Sequence, residues 1–494
     1  MNLDLLRPEI CLAITAIIAI IVDLFCRHKW VVSLTCIIGL LASIGMSLSL
    51  INHGHILLSI GNGLFVLDNY AIFFKILFCG IALLVILAST DYVKRMRGLH
   101  GEFHALLLTA TLGAMLTAAA QDIIAILLSI ELTAISLYAL VAMLKTAKSS
   151  ESAMKYLLLG AINSAILLFG LALIFGFSGT TRLTGIAAAV SSIQLDNITE
   201  YAGLLFGLVL TLAGFAFKIA AAPFHMWAPD VYEGAPTPVT LFLSTVSKIA
   251  GFCILFRFMA ICFTSQPALS HNWGIILAVV SAVTMTAGNL LAVAQTNIKR
   301  LLAYSSIAQS GYMLTAIAAT GILGFTFIPI TSSFLYYLVA FAIAEIAVFS
   351  VIIVVSQHAD NDNISDYAGL SKRSPLLACT MTLGLLSLMG LPPLAGFMGK
   401  FYVFSQIAQH DLIWLVIIAV VNSVISAYYY LKIIRTIWMD APASTESIKI
   451  SLCPKVVGLL ACAGILILGV LPALLGTITE WGASSELFSI FFLR

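Results

Sequence analysis

Ionisable side chains stand inside apolar runs that are long enough to cross a lipid bilayer. They are Glu131, Lys218, Lys248, Glu345 and Lys400, each near the middle of its run. An ionisable group near the membrane centre costs roughly 2.5–3.5 kcal/mol on insertion scales, and such groups are usually functional. Carboxylates and lysines can both take up and release a proton, and their surroundings decide how tightly they hold it. These side chains therefore predict proton transfer at mid-depth in a membrane.

Two interpretations stay open for such a charge. Glu131, in AILLSIELTAISLYAL, could be one half of a packing ion pair or a proton carrier controlled by a neighbouring lysine. If the partner lysine moves, Glu131 can be an ion-pair partner in one state and a proton carrier in the other. Lys248 follows Ser244 by four residues, which in an α-helix places them on one face as a polar stripe. Lys75 and Arg257 lie closer to the ends of their runs, so we interpret them as structural charges that snorkel towards water.

Uncharged polar side chains also recur at helical spacing. Ser305, Gln309 and Tyr312 follow an i, i+4, i+7 pattern in AYSSIAQSGYM, and Asn289 and Asn422 stand in other spans. They could line a path for water. The more common role in membrane bundles is a hydrogen bond between helices.

The composition requires a membrane around most of the chain. Of 494 residues, 61% are hydrophobic and 9% are charged, and the mean hydropathy is +1.09. A soluble domain carries roughly 25% charged residues. The net charge of +2 argues against nucleic acid as a partner, and nine cysteines without a CxxC pair argue against a zinc or iron–sulfur site.

Fourteen apolar runs have the length of a span, which predicts an all-α polytopic membrane protein of about 14 transmembrane helices. The runs are 8–26, 30–51, 71–90, 105–120, 123–143, 156–177, 201–222, 236–263, 273–295, 301–320, 327–356, 376–409, 412–431 and 456–480. The segment 182–194 is too short to span and is predicted as a surface helix. If the N-terminus lies outside, the cytoplasmic connections and helix ends hold 16 of the 24 lysines and arginines, and the other side holds 3. This bias follows the positive-inside rule, so both termini should face outward.

The span at 201–222 is interrupted beside its charge. Pro223 follows Lys218 by five residues, and because proline has no N–H, the carbonyl of Ile219 loses its helical partner. In a membrane, a freed carbonyl is tolerated only inside protein or beside water. The break therefore predicts a protein-lined or hydrated opening next to Lys218.

A second break lies in LSLMGLPPLAGFMGKF, residues 386–401. Its two adjacent prolines free the carbonyls of Leu388 and Met389 shortly before Lys400. Paired interruptions in corresponding segments are typical of inverted-repeat transporters. The breaks fall in the seventh and twelfth spans, so spans 4–8 and 9–13 would form two inverted five-helix repeats, each with one broken helix. The predicted domains are therefore 1–100 for the first three spans, 101–264 and 265–440 for the repeats, and 441–494 for the last span.

Three long motifs carry a family resemblance over nearly the whole chain. They are KIAAAPFHMWAPDVYEGAPTPVTLFLSTVSK (218–248), QTNIKRLLAYSSIAQSGYM (295–313) and GLPPLAGFMGKFYVF (390–404). The chain resembles the antiporter-like subunits of respiratory complex I, the NADH-quinone oxidoreductase, which are related to the Mrp-type sodium/proton antiporters. Among these subunits it is most similar to the N type, since the M type has a glutamate where this chain has Lys400.

The resemblance implies a role for each charge at mid-depth. Glu131 and Lys218 would form the ion pair of the first half-channel, Lys248 the connecting group and Lys400 the terminal group of the second half-channel. Protons would move along this axis, driven by quinone reduction in partner subunits.

Four further residues enter through the same resemblance. His225 and Lys155 look like accessory members of the polar axis. Gln309 stands where relatives often have a histidine, so a proton relay there would need water. Glu345 stands where a small or hydroxyl residue is usual; it could pair with Lys248 or Lys400, or face a neighbouring subunit.

The resemblance also implies where the redox chemistry lies. No cofactor belongs to this chain, and NADH, FMN, iron–sulfur clusters and quinone are expected on partner chains. The expected partners are the antiporter-like M subunit and the small K, J and A type subunits. The expected location is the bacterial inner (plasma) membrane with both termini periplasmic, or alternatively a plant-type organelle membrane. Two other functions remain open: a subunit of an Mrp-type cation/proton antiporter, and a structural membrane spacer.

Overall fold

The computed structural model describes residues 3–26, 28–53, 63–94, 96, 98–192, 201–323, 327–358, 362–408, 412–442 and 446–484, and these are almost entirely helical. The α-helices, numbered in chain order, are α1 Arg7–Phe25, α2 Trp30–Ser49, α3 Asn69–Val93, α4 His100–Ala119, α5 Ile123–Val141, α6 Ala147–Ser178, α7 Leu183–Ser191, α8 Ala202–Lys218, α9 Trp227–Gly234, α10 Thr237–Phe242, α11 Lys248–Cys262, α12 Pro267–Val293, α13 Ile298–Leu323, α14 Phe327–Val355, α15 Leu370–Arg373, α16 Pro375–Met389, α17 Ala395–Ala408, α18 Ile413–Met439, α19 Leu452–Val470 and α20 Ala473–Ala483. A π-helical turn, Leu243–Ser247, joins α10 to α11.

Twelve helical segments of the described residues are long and apolar enough to cross a membrane. Two further apolar helices, α8 and α16, are shorter because each ends at a break. The chain leaves α8 at Lys218 and becomes helical again at Trp227, and it leaves α16 at Met389 and resumes at Ala395. Both predicted interruptions are therefore confirmed.

The last predicted span, 456–480, differs in the structure. Its helix α19 ends at Val470, and α20 begins at Ala473 after Pro472. Proline cannot continue the backbone hydrogen bonds of the preceding turn, so this apolar run is divided too. The surface helix predicted within 182–194 is confirmed as α7.

The interior of the bundle is formed by α10–α11, α13 and α14. In the most apolar 18 residues of each span, 94% are buried in α10–α11, 89% in α13 and 94% in α14. The corresponding share is 33% in α1, α2, α6, α18 and α19. The second group therefore presents a broad apolar face to lipid or to partner chains. Lys248 on α11 and Glu345 on α14 lie on helices that protein surrounds almost completely.

Small residues let α12 and α13 approach closely. A Cβ atom added to Gly311 would overlap the backbone of Met285, and one added to Gly288 would overlap the backbone of Ala308. Such contacts drive helix association in membranes, where apolar burial alone supplies little. This packing holds the polar face of α13 in a fixed position.

Lys75 and Arg257 are buried in ion pairs and do not snorkel as expected. The Lys75 ammonium lies 2.6 Å from Glu9, and both side chains are under 5% exposed. The Arg257 guanidinium lies 2.8 Å from Asp68. Their interpretation as structural charges is kept, but neutralisation inside the protein replaces contact with water.

The Glu9–Lys75 pair provides a stability prediction. Glu9→Gln is expected to lower the free energy of unfolding by about 3–5 kcal/mol, because it leaves a buried ammonium without a counter-charge. The double variant Glu9→Gln/Lys75→Met should regain most of that loss, since no charge is then buried. Thermal inactivation midpoints of the purified protein test this. An equal loss in the single and double variants would contradict it.

Candidate functional site

The first part of the site joins α5, α6 and α8. The Lys218 ammonium lies 3.8 Å from a Glu131 carboxylate oxygen, and the side chains are 10% and 26% exposed. The Ser164 hydroxyl on α6 donates a hydrogen bond to the same oxygen. The predicted ion pair of the first half-channel is therefore present as a loose contact, and a third side chain, which the sequence reasoning missed, orients the carboxylate.

The break after Lys218 is lined by protein. The Ile219 carbonyl, expected to lose its helical partner, accepts a hydrogen bond of 2.8 Å from the Ser310 hydroxyl on α13. The Phe217 carbonyl accepts one of 3.0 Å from the Trp227 indole N–H. These bonds satisfy backbone groups that apolar surroundings would leave unpaired.

Lys248 is buried where α11 meets α13. Its ammonium donates to the Ser306 carbonyl at 2.8 Å and to the Ser306 hydroxyl at 2.5 Å, and the residue is 2% exposed. The Ser310 hydroxyl is also 3.0 Å from the Ser306 carbonyl. Ser306 and Ser310 thus connect Lys248 with the Ile219 carbonyl at the first break.

A small cavity lies beside Lys218. Its volume is about 20 Å³, and its lining includes Lys218, Tyr156 and Ser247, the residue before Lys248. A cavity of this size holds about one water molecule when polar groups surround it. The space between Lys218 and the start of α11 therefore has room for one water molecule.

Lys400 lies at the second break. Its ammonium donates to the two carbonyls that the prolines free, Leu388 at 3.0 Å and Met389 at 3.1 Å. It also lies 4.5 Å from the centre of the Tyr312 ring, in cation–π geometry. The broken helix itself therefore supplies the acceptors for this buried charge.

Gln309 shares an acceptor with Lys400. Its amide N–H donates to the Leu388 carbonyl at 2.9 Å, and its amide oxygen accepts a hydrogen bond from Tyr337. Where a histidine was expected from the resemblance, the glutamine still reaches the second break. Ser305 hydrogen-bonds to Tyr430 on α18.

The remaining polar residues connect helices. The Asn289 amide donates to the Tyr312 hydroxyl at 3.0 Å and to Asn422 at 3.2 Å, which joins α12, α13 and α18. Hydrogen bonding between helices is therefore the observed role of these residues. The sequence reasoning named Ser305 and Gln309 but not Ser306 and Ser310, which have the same spacing one residue further along α13. Ser306 contacts Lys248 on α11, and Ser310 contacts the Ile219 carbonyl at the first break.

Glu345 is the buried charge that the sequence reasoning could not place. It is fully buried on α14, and its carboxylate interacts electrostatically with Lys248. Lys400 does not appear among its neighbouring charges in the described residues. Ser244 and Lys248 both lie beside Glu345, so they share one side of the span as predicted. The backbone between them is a π-helical turn and not the regular α-helix that the spacing assumed.

The two accessory residues occupy different places. His225 is buried in the first break, between α8 and α9, at 8% exposure. Lys155 is 44% exposed and pairs with Glu151 at 2.8 Å and with Asp230 at 2.9 Å. The structure thus places His225 inside the first break and Lys155 in an exposed ion-pair network.

That network binds α9 to α6 and α13. Asp230 contacts Lys155 at 2.9 Å and Arg300 at 2.7 Å, and Glu233 contacts Lys148 at 2.8 Å and Arg300 at 3.0 Å. Burial raises the pKa of Asp230, but hydrogen bonds from Lys155 and Arg300 outweigh burial and hold the pKa below its usual value. The short helix after the first break is therefore attached to both α6 and α13.

The lowered pKa gives this network a pH dependence. Its stabilising contribution is present above the ordinary Asp230 pKa of 3.8 and is lost as the pH falls through the lower pKa of the folded state. Asp230→Asn should therefore lower the thermal stability at pH 7, and the gap to wild type should shrink below about pH 4. Melting curves across pH measure the gap. A gap that stays constant with pH would contradict the prediction.

Two interrupted helices with buried charges at each break define a class of polytopic membrane transport protein. Comparison with known proteins gives the family. The family model for the NADH:quinone oxidoreductase/Mrp antiporter transmembrane region matches residues 120–426. The NADH-quinone oxidoreductase subunit N of Dehalococcoides mccartyi is 44% identical over 481 residues, 97% of this chain and 98% of that protein. The chain belongs to the NADH-quinone oxidoreductase subunit N family.

Solved structures agree with this assignment. A chain of respiratory complex I from Thermus thermophilus is 30% identical, has a TM-score of 0.78, and the match covers 95% of this chain and 99% of that one. A chain of the Mrp complex from a Dietzia species has a TM-score of 0.85 at 19% identity, covering 99% and 98% of the two chains, which shows a shared fold alone.

Proposed function

We propose that this chain is a proton-translocating membrane-arm subunit of an NADH-quinone oxidoreductase. The observations that carry the proposal are the Glu131–Lys218 pair and the hydrogen bonds that lead from the carbonyl of Ile219, the residue after Lys218, through Ser310 and Ser306 to Lys248. Lys400 then forms a second site at the other break. Buried lysines suit this task because, unlike arginine, they can lose their proton when desolvated.

The proposed architecture has fourteen spans. Residues 1–100 form the first three spans, 101–264 and 265–440 form two inverted five-helix repeats, and 441–494 form the last span. The twelve apolar segments and the two interrupted spans support this count. The chain would lie in the bacterial inner membrane with both termini periplasmic, beside an antiporter-like M subunit and K, J and A type subunits. NADH, FMN, iron–sulfur clusters and quinone would lie on partner chains.

Separation of the first ion pair would start proton transfer. Two unit charges about 4 Å apart attract by about 4 kcal/mol at an effective dielectric constant near 20, and the observed separation is 3.8 Å. Movement of Glu131 away from Lys218 removes that attraction and favours release of the lysine proton. The proton would pass through the small cavity towards Lys248, then to Lys400, and leave on the outer side. Quinone reduction in partner chains would drive the movement of Glu131.

About a quarter of the Glu131 side chain is exposed, which supports the view that a neighbouring chain completes this site. An ionised carboxylate at mid-depth is costly against lipid. A partner subunit that covers α5 and α6 would shield this side chain, and a conformational change in the partner would reach Glu131 directly.

Purification with the chain's natural partners tests the function. We expect the chain to co-purify with other NADH-quinone oxidoreductase subunits, and the reconstituted complex to move protons when NADH is oxidised. Sodium-dependent transport without NADH-linked activity would instead support the Mrp-type alternative. Full pumping after loss of all four charges, Glu131, Lys218, Lys248 and Lys400, would support the structural spacer.

A further inference from the structure

Glu345 is a buried carboxylate without a hydrogen-bond partner. It is 0% exposed, and within the described part of the chain neither carboxylate oxygen has a partner. It therefore faces the interior of this chain and does not reach a neighbouring subunit. An ionised carboxylate in such a place is costly unless water or a cation reaches it, so the site needs a further group.

The surroundings of Glu345 hold several unused hydrogen-bonding groups. A lysine ammonium has three donors, and Ser306 takes two of those of Lys248. The buried hydroxyl of Tyr232 lies near Glu345 and Ser306, and among the described residues it forms no hydrogen bond of good geometry. The Ser244 hydroxyl lies beside the carboxylate, but it donates its hydrogen bond to the Leu241 carbonyl at 2.9 Å. A third lysine donor, two carboxylate oxygens and a phenol therefore converge on one region.

The backbone in front of Lys248 is adapted to this region. Leu243–Ser247 form a π-helical turn inside an otherwise α-helical span. Such turns carry a cost in hydrogen-bond geometry and are frequent at functional sites. The turn places Ser244 beside the carboxylate while Lys248 keeps its bonds to Ser306.

We propose that Glu345 is a proton-exchanging partner of Lys248, connected to it by a bridging water. In the forward step, the ammonium gives a proton to the water, and the water gives one to the carboxylate. The ion pair then becomes a neutral amine and a carboxylic acid, with no change in total charge. This inference rests on the proposed function, since it assigns an additional proton-holding group to the same axis.

The position of Glu345 on α14 also suits onward transfer. Tyr337 precedes it on the same helix by about 12 Å along the axis, and Tyr337 donates to Gln309, which shares the Leu388 carbonyl with Lys400. The helix α14 thus supplies polar groups to both the Lys248 region and the second break. A carboxylate that only neutralised Lys248 would form a direct ion pair, as Glu9 does with Lys75.

The test uses the assembled complex in proteoliposomes. NADH oxidation is measured in uncoupled vesicles, and proton translocation is measured separately in coupled vesicles. Glu345→Gln should reduce NADH-driven proton translocation by about tenfold, while uncoupled NADH oxidation is retained. Glu345→Asp should recover part of the loss, because it keeps a carboxyl group. The matched control is Glu9→Gln/Lys75→Met, which removes a buried pair outside the axis and should leave translocation unchanged.

Infrared difference spectra of reduced minus oxidised complex give a direct readout. The band of a protonated carboxylic acid should appear in wild type, disappear in Glu345→Gln and shift in Glu345→Asp. If the glutamine variant does not assemble, the aspartate variant serves as the test. In Lys248→Met the band should also be lost, and Glu345→Gln/Lys248→Met should be no worse than the worse single variant.

Two outcomes separate this inference from the proposed function. If Lys218→Ala and Lys248→Met stop translocation but Glu345→Gln pumps at the wild-type rate with an unchanged spectrum, Glu345 has no part in proton exchange and the axis stands. If Lys218→Ala and Lys248→Met translocate protons as wild type does, the proposed function itself fails.

Discussion

Lys218→Ala is expected to reduce NADH-driven proton translocation by about 10²-fold or more, while the complex still assembles. Lys218 lies at the end of α8, beside the break, and contacts Glu131 at 3.8 Å. Alanine removes the member of this pair that, in the proposed mechanism, passes its proton towards Lys248. Glu131→Ala should have a similar effect, because the lysine then has no charged partner whose movement controls it.

Native gels establish assembly, and a pH-sensitive dye in proteoliposomes measures the protons moved for each NADH oxidised. Lys94→Ala is the matched control, since Lys94 is 64% exposed and pairs with Asp91 away from the axis. A Lys218→Ala or Glu131→Ala complex that assembles normally and pumps at full stoichiometry would refute the assigned roles.

Lys400→Arg should impair translocation to a comparable degree. Arginine can donate to the Leu388 and Met389 carbonyls that hold Lys400, and it can stack on Tyr312. It cannot release its proton, so the terminal step of the axis is blocked although the charge remains.

The same assay separates this block from a packing defect. The control is Lys29→Arg, where a partly exposed lysine pairs with Asp23 at 2.8 Å and the substitution keeps the charge. Assembly should be normal in both variants. Wild-type pumping by Lys400→Arg would mean that Lys400 is a structural charge that holds the broken helix together.

The sequence predicted the breaks well because their causes are local. Proline removes an N–H wherever the chain goes, so the freed carbonyls of Ile219, Leu388 and Met389 could be named in advance. Each of them accepts a side-chain hydrogen bond in the structure. The donors are less predictable: Lys400 is close in sequence, but Ser310 lies 91 residues from Ile219.

Charges near span ends show the limit of local reasoning. Lys75 and Arg257 were expected to reach water because their long side chains and position permit it. Each instead has a carboxylate from a distant element within 3 Å, Glu9 on α1 and Asp68 before α3. Snorkelling depends on which partner packs alongside, and hydropathy patterns contain no such information.

By itself, the sequence determined that the chain crosses a membrane, that two spans are broken and that five charges lie at mid-depth. Apolar length, proline chemistry and the cost of a charge in lipid act on short segments, so they can be read along the chain. The tertiary structure alone decided which charges meet. In the structure, Glu131 pairs with Lys218, Lys248 donates a hydrogen bond to Ser306, and Glu345 lies near Lys248. These contacts depend on the rotation and packing of helices that are distant in sequence, and a one-residue difference on α13 selects between two faces.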